Sequence, residues 1–459
     1  MELTRRSFLK ASGLALAGSM AYGLSSQSTA FALDDSGADA DWKLVDTEEF
    51  TNICCYCSGG CSVVCSVRDG ELINLEGDPD SPINEGGLCP KGAAMFQLRN
   101  IIDPETGKVV PNPDRVYSPK VRRPGSSDWE DISWEDAIAE IAKHVKKTRD
   151  ETFIEKKDGV TVNRTEAIAS LGGSQQNSEE EYAILKIMRQ LGIVAIDNQA
   201  RVCHSSTVAG LAPSFGRGSM TNHYRDIKNA DYILHCGSNS AESHPVSFRW
   251  VTKAKENGAV HIVVDPRYTR TAATADLYCP IRPGTDIAFY GGLINYILSN
   301  DLWQRDYVMS YTNMSYLINE DYDFDVESGL FTGWDKKSGK YDQASWAYQT
   351  ESETKWDTSV TGAYSWVKAD GVPQFTPPVL KTPKKDKTLK DKHTVYQIMK
   401  KHYSRYDLDT VCNVCGMDKE TLEKVYKTYC KSGAKDKSGT ILYALGQTQH
   451  TFGATTCRA

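Results

Sequence analysis

Residues 231–239 read DYILHCGSN, and this stretch decides the fold. The apolar half is a buried strand, and Gly237-Ser238-Asn239 is the tight turn that leaves it. A helical pattern follows and ends near Gly258. VHIVVDPR is then a second buried strand, finishing at Asp265 and Arg267. CPIRPGTD leads into a further helix that carries Ile287, Leu293, Ile294 and Ile297. Strand, helix, strand and helix in succession over 231–300 make a doubly wound α/β unit, whose ligands bind beyond the carboxyl ends of the strands. Those ends offer Gly237 and Gly284 for close backbone approach and helix N-termini for phosphate. They also offer Asp265 and Asp286 for a ribose or base edge, and Arg267 for charge. GxGxxG is absent, so a nicotinamide site of the Rossmann kind is not expected. The same residues would also serve a structural α/β domain with ordinary turns.

Upstream, SWEDAIAEIAKHV predicts a helix capped by Ser133 with Asp136 three residues on. Trp134, Ile138, Ile141 and Val145 share one face, and His144 lies on the surface. SEEEYAILKIMRQLG predicts a second helix with a capping box of Ser178 and Glu181, a stop at Gly192, and a core face of Ile184, Leu185, Met188 and Leu191. Between that helix and residue 231 lies ARVCHSSTVAGLA, residues 200–212. It sets Cys203 beside His204 with no CxxC partner. From the residues alone, Cys203 is a filler in a small-residue core, a nucleophile or a metal ligand.

The other cysteines are patterned near the start of the chain. ICCYCSGGCSVVC gives Cys54-x2-Cys57-x3-Cys61, and Cys89 follows in GGLCPKG. Three close thiolates and one distal thiolate suit a 4Fe–4S cluster. Structural zinc and disulfides are the other readings of the same spacing. Cys55 and Cys65 read as small buried thiols, and Lys91 is a cation two residues past Cys89. Asp69-Gly70 joins two short alternating runs as a hairpin, so the cysteines belong to a small β-rich domain.

At the N-terminus, TRRSFLK places Arg5 and Arg6 before a modest apolar stretch, and Ala30-Phe31-Ala32 offers a small-x-small cleavage site. Twin arginines followed by Phe-Leu-Lys resemble the twin-arginine export signal, which carries folded proteins to the periplasm. That route is needed when a cofactor is inserted before export. No further stretch approaches the roughly 20 apolar residues of a membrane span. The chain has 459 residues, 40% hydrophobic, with a net charge of −7. That is ordinary globular composition, and the charge argues against a nucleic-acid partner. From about residue 311 to 393 the pattern is loop-rich in Tyr and Trp, and KTPKKDKTLKDKH is a solvated basic stretch. Cys412-x2-Cys415 has no second pair and is not expected to bind a metal. TILYALGQTQHTFG is a strand entering a loop.

Taken together, these stretches resemble the catalytic subunits of the molybdenum- or tungsten-dependent formate dehydrogenases of the exported respiratory type. Those belong to the bis-molybdopterin guanine dinucleotide oxidoreductases. The matching segments are the twin-arginine signal, the cysteine run with GGLCPKG, ARVCHSSTVAGL, GSNSAESHPV, VVDPRYTRTAA, PIRPGTDIAF and LYALGQTQHT. The resemblance implies that Cys203, where the family carries selenocysteine or cysteine, ligates the Mo or W ion, as suits a soft thiolate. It implies that His204 is an active-site histidine, and that Lys91 lies between pterin and cluster. Cys54, Cys57, Cys61 and Cys89 would hold the cluster. Gly237, Ser238, Asn239, Asp265, Arg267, Gly284, Asp286, Gly446 and Gln447 would belong to the pterin-dinucleotide site. A histidine after the metal cysteine separates formate dehydrogenases from periplasmic nitrate reductases, where a methionine typically follows.

The implied activity is oxidation of formate to CO2, with electrons passing through the cluster to an iron–sulfur partner subunit and on to a cytochrome. The alternatives are another family member, such as a nitrate or polysulfide reductase, or a non-catalytic remnant that binds a cluster. Family subunits continue well past residue 459, with an arginine that orients formate and a final cofactor-holding domain. Arg458 does not match that arginine, so the expectation is a fragment, a frameshifted product or one piece of a split enzyme. The expected organisation is a signal peptide (1–32), a linker (33–47), an iron–sulfur domain (48–110) and an α/β molybdopterin-binding domain with the metal-ligand loop (111–310). An irregular region (311–395) and the start of a further α/β segment (396–459) follow.

Overall fold

The computed structural model describes residues 43–355 and 379–459. The expected signal peptide and most of the expected linker lie outside the described residues.

The chain divides into two compact units. The smaller takes in residues 66–74 and the described residues up to Glu48. Within it Lys43 Nζ donates to Asn74 Oδ1 at 2.9 Å, and Arg68 Nη1 to the Val45 carbonyl at 3.1 Å. Its hairpin turn is the expected Asp69-Gly70, with φ of 53° and 77°. Positive φ at both central residues is what lets a two-residue turn follow the twist of its strands. Strands β1 (Glu48–Ile53), β2 (Ser62–Arg68) and β3 (Glu71–Gly77) follow one another in that spatial order, and residues 49–53, 62–65 and 75–77 of them belong to the larger unit.

The larger unit holds everything else. Helix α1 (Trp134–Thr152) is capped as expected, with Ser133 accepting from the Asp136 amide. Strands β4 (Ile154–Lys157) and β5 (Val160–Gly172), helix α2 (Ser178–Gln190) and strand β6 (Ile193–Asn198) follow, the sheet running β6-β5-β4. Three expectations are corrected here. The capping box of α2 is one residue earlier, Asn177 with Glu180, because Asn177 takes the extended backbone a cap requires and Ser178 is already helical. The apolar face of α2, expected to be core, is only half-buried, and that of α1 is largely exposed. Trp134 is 67% and Ile141 63% exposed on α1, and Leu185 on α2 is 40% exposed. Cys55 and Cys65 are half-buried rather than buried.

Short helices α3 (Gln199–Cys203) and α4 (Ser205–Phe215) lead into the expected doubly wound unit. It comprises β7 (Tyr232–Cys236), α5 (Pro245–Glu256), β8 (Val260–Val264), β9 (Leu277–Cys279) and α6 (Asp286–Ser299). After the loop-rich region come α7 (Leu408–Cys415), α8 (Lys419–Tyr429) and β10 (Gly439–Tyr443). The four strands are all parallel, in the order β9-β8-β7-β10. Strand β10 thus completes the sheet begun at residue 232, pairing Tyr232 with Gly439 through Cys236 with Tyr443.

Both faces are covered, which is why the strands read as continuous apolar runs. Leu234, Cys236, Ile262 and Val264 pack with Phe289, Leu293, Leu422 and Tyr426. Ile233 packs on the other face with Trp250, Val251 and Ala254. The strand order reverses direction at β7, with β8 and β9 to one side and β10 to the other. In such sheets this reversal opens a ligand crevice beyond the strand ends.

Candidate functional site: a cysteine-ringed cavity and a crevice at the sheet's carboxyl edge

Cys54, Cys57, Cys61 and Cys89 line one cavity, together with Lys91 and Ser247. The close ligands are set by a tight loop in which the Cys54 amide donates to the Cys61 carbonyl at 2.8 Å, with Gly60 at φ 61°. Cys89 caps the short helix Pro90–Ala93. The loop before it is anchored by α5. Arg249 Nη1 donates to the Asn84 carbonyl at 2.6 Å, Trp250 Nε1 to the Ile83 carbonyl at 3.0 Å, and Lys253 pairs with Glu85 at 3.1 Å.

The cavity fits an iron–sulfur cube. A Cβ at Gly59 would sit 3.3 Å from Cys57 Sγ and 3.8 Å from Cys61 Sγ, so glycine keeps the sulfurs' side open. Burial, then the neighbouring thiols, push Cys61 up to about 11 and Cys54 upward as well. Four clustered thiolates need the positive charge of a metal centre to be stable together. Among the described residues no three ligating side chains gather at a single-ion position. Lys91 also faces His244, whose pKa is lowered by burial and then by that ammonium.

The second group gathers at the carboxyl edge of the sheet. Gly237 (φ 58°) follows β7 and Gly446 follows β10, and the Gly446 amide donates to the Gly237 carbonyl at 3.0 Å. A Cβ on Gly446 would lie 2.5 Å from that carbonyl oxygen, and one on Gly237 would lie 2.9 Å from the Gln447 amide nitrogen. Both glycines are required for the two turns to meet at the reversal point. Asp265 follows β8, accepting from the Arg267 amide at 2.9 Å. Asp286 opens α6 and is buried, and burial raises the pKa of both carboxyls. Arg267 is exposed. Ser238 is buried, and Asn239 accepts from Thr271 Oγ1 at 2.9 Å. Gln447 is fully buried: its side chain donates to the Tyr290 hydroxyl and its amide to the Ala444 carbonyl at 3.1 Å, so it braces the turn from behind. Gly284 approaches Phe452.

Cys203 ends α3 and His204 is the hinge residue before α4. Gln449 Nε2 donates to the Cys203 carbonyl at 2.6 Å, and Ser206 Oγ to the Thr448 carbonyl at 2.7 Å. The Cys-His turn is therefore tied to the segment that carries Gly446 and Gln447. Sequence reasoning brought these residues together only through the resemblance.

It missed a buried pair behind the Gly237 turn. His235 and His261 are both fully buried on the α5 face of the sheet, Nδ1 to Nε2 at 2.8 Å, and His235 Nε2 meets Ser240 Oγ at 2.8 Å. The signal was a histidine in each of two otherwise apolar strands. Burial lowers His261 to about 4 and His235 well below the usual value. Both folded values lie below the unfolded one, so the neutral pair stabilises the fold fully above about pH 6.5 and loses that contribution as pH falls toward the folded values. The slope for one such group is about 1.4 kcal/mol per pH unit. The urea midpoint should fall between pH 7 and pH 5; an equal midpoint at the two pH values would contradict the buried neutral pair.

Two family models match the chain. The Fe4S4 domain of the molybdopterin oxidoreductases covers residues 47–100, and the molybdopterin oxidoreductase domain covers 115–312. The chain belongs to the molybdopterin oxidoreductases, and these two domains serve a 4Fe–4S cluster and a molybdopterin cofactor. It is 45% identical over 420 residues to the formate dehydrogenase subunit alpha of Megalodesulfovibrio gigas, covering 91% of this chain and 38% of that one. It is 44% identical over 460 residues to the formate dehydrogenase 2 subunit alpha (cytochrome c-553) of Nitratidesulfovibrio vulgaris, covering 100% of this chain and 41% of that one. The chain thus spans about two-fifths of the length of these curated relatives. Among solved structures, acetylene hydratase from Pelobacter acetylenicus aligns over 89% of this chain and 42% of its own, with a TM-score of 0.53 at 19% identity. That likeness bears on the fold alone.

Proposed function

We propose that the chain is the cluster-bearing and metal-ligating part of a formate dehydrogenase catalytic subunit. The observation that carries the reading is the Cys203-His204 turn tied by Gln449 to the crevice segment, in a chain 45% identical to a formate dehydrogenase subunit alpha. The overall reaction takes formate to CO2, one proton and two electrons. The pterin-bound Mo or W supplies the two-electron acceptor, and the chain supplies position and electrostatics. Cys203 contributes a soft thiolate ligand to that metal. His204, next to it, orients formate or receives the proton. Gly237 and Gly446 let backbone amides approach the dinucleotide phosphates of a bis-molybdopterin guanine dinucleotide. Ser238, Asn239, Asp265, Arg267, Gly284, Asp286 and Gln447 would belong to the same dinucleotide site.

Lys91, at the wall of the cysteine cavity, would lie between pterin and cluster and offset negative charge there. A 4Fe–4S cluster held by Cys54, Cys57, Cys61 and Cys89 would supply one-electron transfer toward an iron–sulfur partner subunit and a cytochrome. The relative from Nitratidesulfovibrio vulgaris carries cytochrome c-553 in its name. The Arg5-Arg6 signal would bring the folded, loaded protein to the periplasm. Among the described residues no helix is long and apolar enough to cross a membrane. The test is anaerobic dye reduction by the holoenzyme containing this chain. Formate should drive it, and reduced dye should not be consumed by nitrate or polysulfide. Turnover with nitrate and none with formate would overturn the reading.

A further inference from the structure

Helix α5 starts at the cysteine cavity, and Pro245, Val246 and Ser247 of its first turn line it. Its N-cap, His244, supplies no side-chain cap. Pro245 has no amide hydrogen, and the Phe248 amide already donates to the His244 carbonyl at 3.0 Å. The amides of Val246 and Ser247 are those that helix geometry leaves without an intrahelical acceptor, at the positive end of the helix dipole. Ser247 is 4% exposed, and its Oγ has no hydrogen-bond partner. An unsatisfied buried hydroxyl is costly, so one in a native fold calls for a missing acceptor. The position a Cβ would take on Gly59 lies 3.3 Å from Ser247 Oγ, 3.3 Å from Cys57 Sγ and 3.8 Å from Cys61 Sγ. The hydroxyl and two sulfurs thus close around one point. The bonds of Arg249, Trp250 and Lys253 to residues 83–85 hold the helix end there.

We propose that Ser247 Oγ donates a hydrogen bond to a sulfur of the cluster, the Cys57 or Cys61 thiolate or an adjacent sulfide, and raises the cluster's reduction potential. The inference rests on the cluster reading of the four cysteines. Reduction adds an electron to an already anionic group, so a donor and a helix N-terminus aimed at its sulfurs stabilise the reduced state more than the oxidised one. Ser247 acts through the cluster and touches no substrate.

The test is a redox titration followed by the cluster's electron paramagnetic resonance, on anaerobically isolated protein with iron and sulfide measured in parallel. Ser247→Ala should keep its iron and show a lower midpoint. A tenfold loss in the reduced-to-oxidised ratio at fixed potential corresponds to about 59 mV for one electron. Equal iron with an unchanged midpoint would overturn the proposal. Ser247→Thr and Ser247→Val form a second pair of matched shape, one with and one without the hydroxyl. A lower midpoint for valine supports the hydrogen bond, and equal midpoints refute it. Absence of iron from the unaltered protein would instead overturn the cluster reading, and this inference with it.

Discussion

Cys203→Ala removes formate-dependent dye reduction from the holoenzyme while leaving iron and sulfide in place. The two outcomes separate because the residues concerned lie on separate segments. Cys203 ends a five-residue helix tied to Gln449, whereas the four patterned cysteines ring a cavity built from residues 54–61, 88–92 and 245–247. The expected size follows from comparison. Losing an outer-shell partner of a metal site costs about 10–100-fold. A directly bonded thiolate should cost more than that, a loss of over ~100-fold. A residual rate within tenfold of the unaltered enzyme would reduce Cys203 to a packing residue at a helix junction.

The second large effect concerns the cavity. Cys57→Ser should abolish the cluster's visible absorption and drop iron well below four atoms per chain, with electron transfer from formate to external acceptors lost as a consequence. Cys57 sits in the loop closed by the Cys54 amide on the Cys61 carbonyl, its own carbonyl accepts from the Gly60 amide at 3.3 Å, and a Cβ on Gly59 would lie 3.3 Å from its sulfur. A serine oxygen in that position is a harder ligand than iron in such a cluster takes from protein. Stoichiometric zinc in the unaltered protein, with no iron, would sink the assignment outright.

The main features of this architecture could be read in the residues because local and global signals agree. DYILHCGSN and VHIVVDPR are apolar over the length of a strand and end in residues that suit a turn, and both are buried central strands. Ser133 caps its helix, and Asp69-Gly70 turns its hairpin. The four-cysteine spacing gathers round one cavity because three of its members are fixed by a single loop.

What escaped the sequence depends on contacts between distant segments. Strand β10 pairs with β7 across some two hundred residues, and nothing in TILYAL says which strand it will join. That pairing brings Gly446 onto Gly237. The sequence pattern predicts the capping box of α2 at Ser178 with Glu181, and the backbone places it one residue earlier, at Asn177 with Glu180. The apolar faces of α1 and α2 carry helical periodicity, which reports that a face is apolar and not whether the described chain covers it. His235, His261 and Ser247 look like ordinary polar residues in a one-dimensional reading. Their burial and partners, or for Ser247 Oγ the lack of one, give them a role.

The account turns on formate delivering electrons through a Cys203-held metal to the four-cysteine cluster. The direct measurement is anaerobic addition of formate to the oxidised holoenzyme, watching for the reduced-cluster resonance. The resonance should appear in the unaltered protein and be absent in Cys203→Ala, while dithionite reduces the cluster in both. A cluster that dithionite reduces but formate leaves oxidised in the unaltered protein would contradict the account, as would equal reduction by formate with and without Cys203.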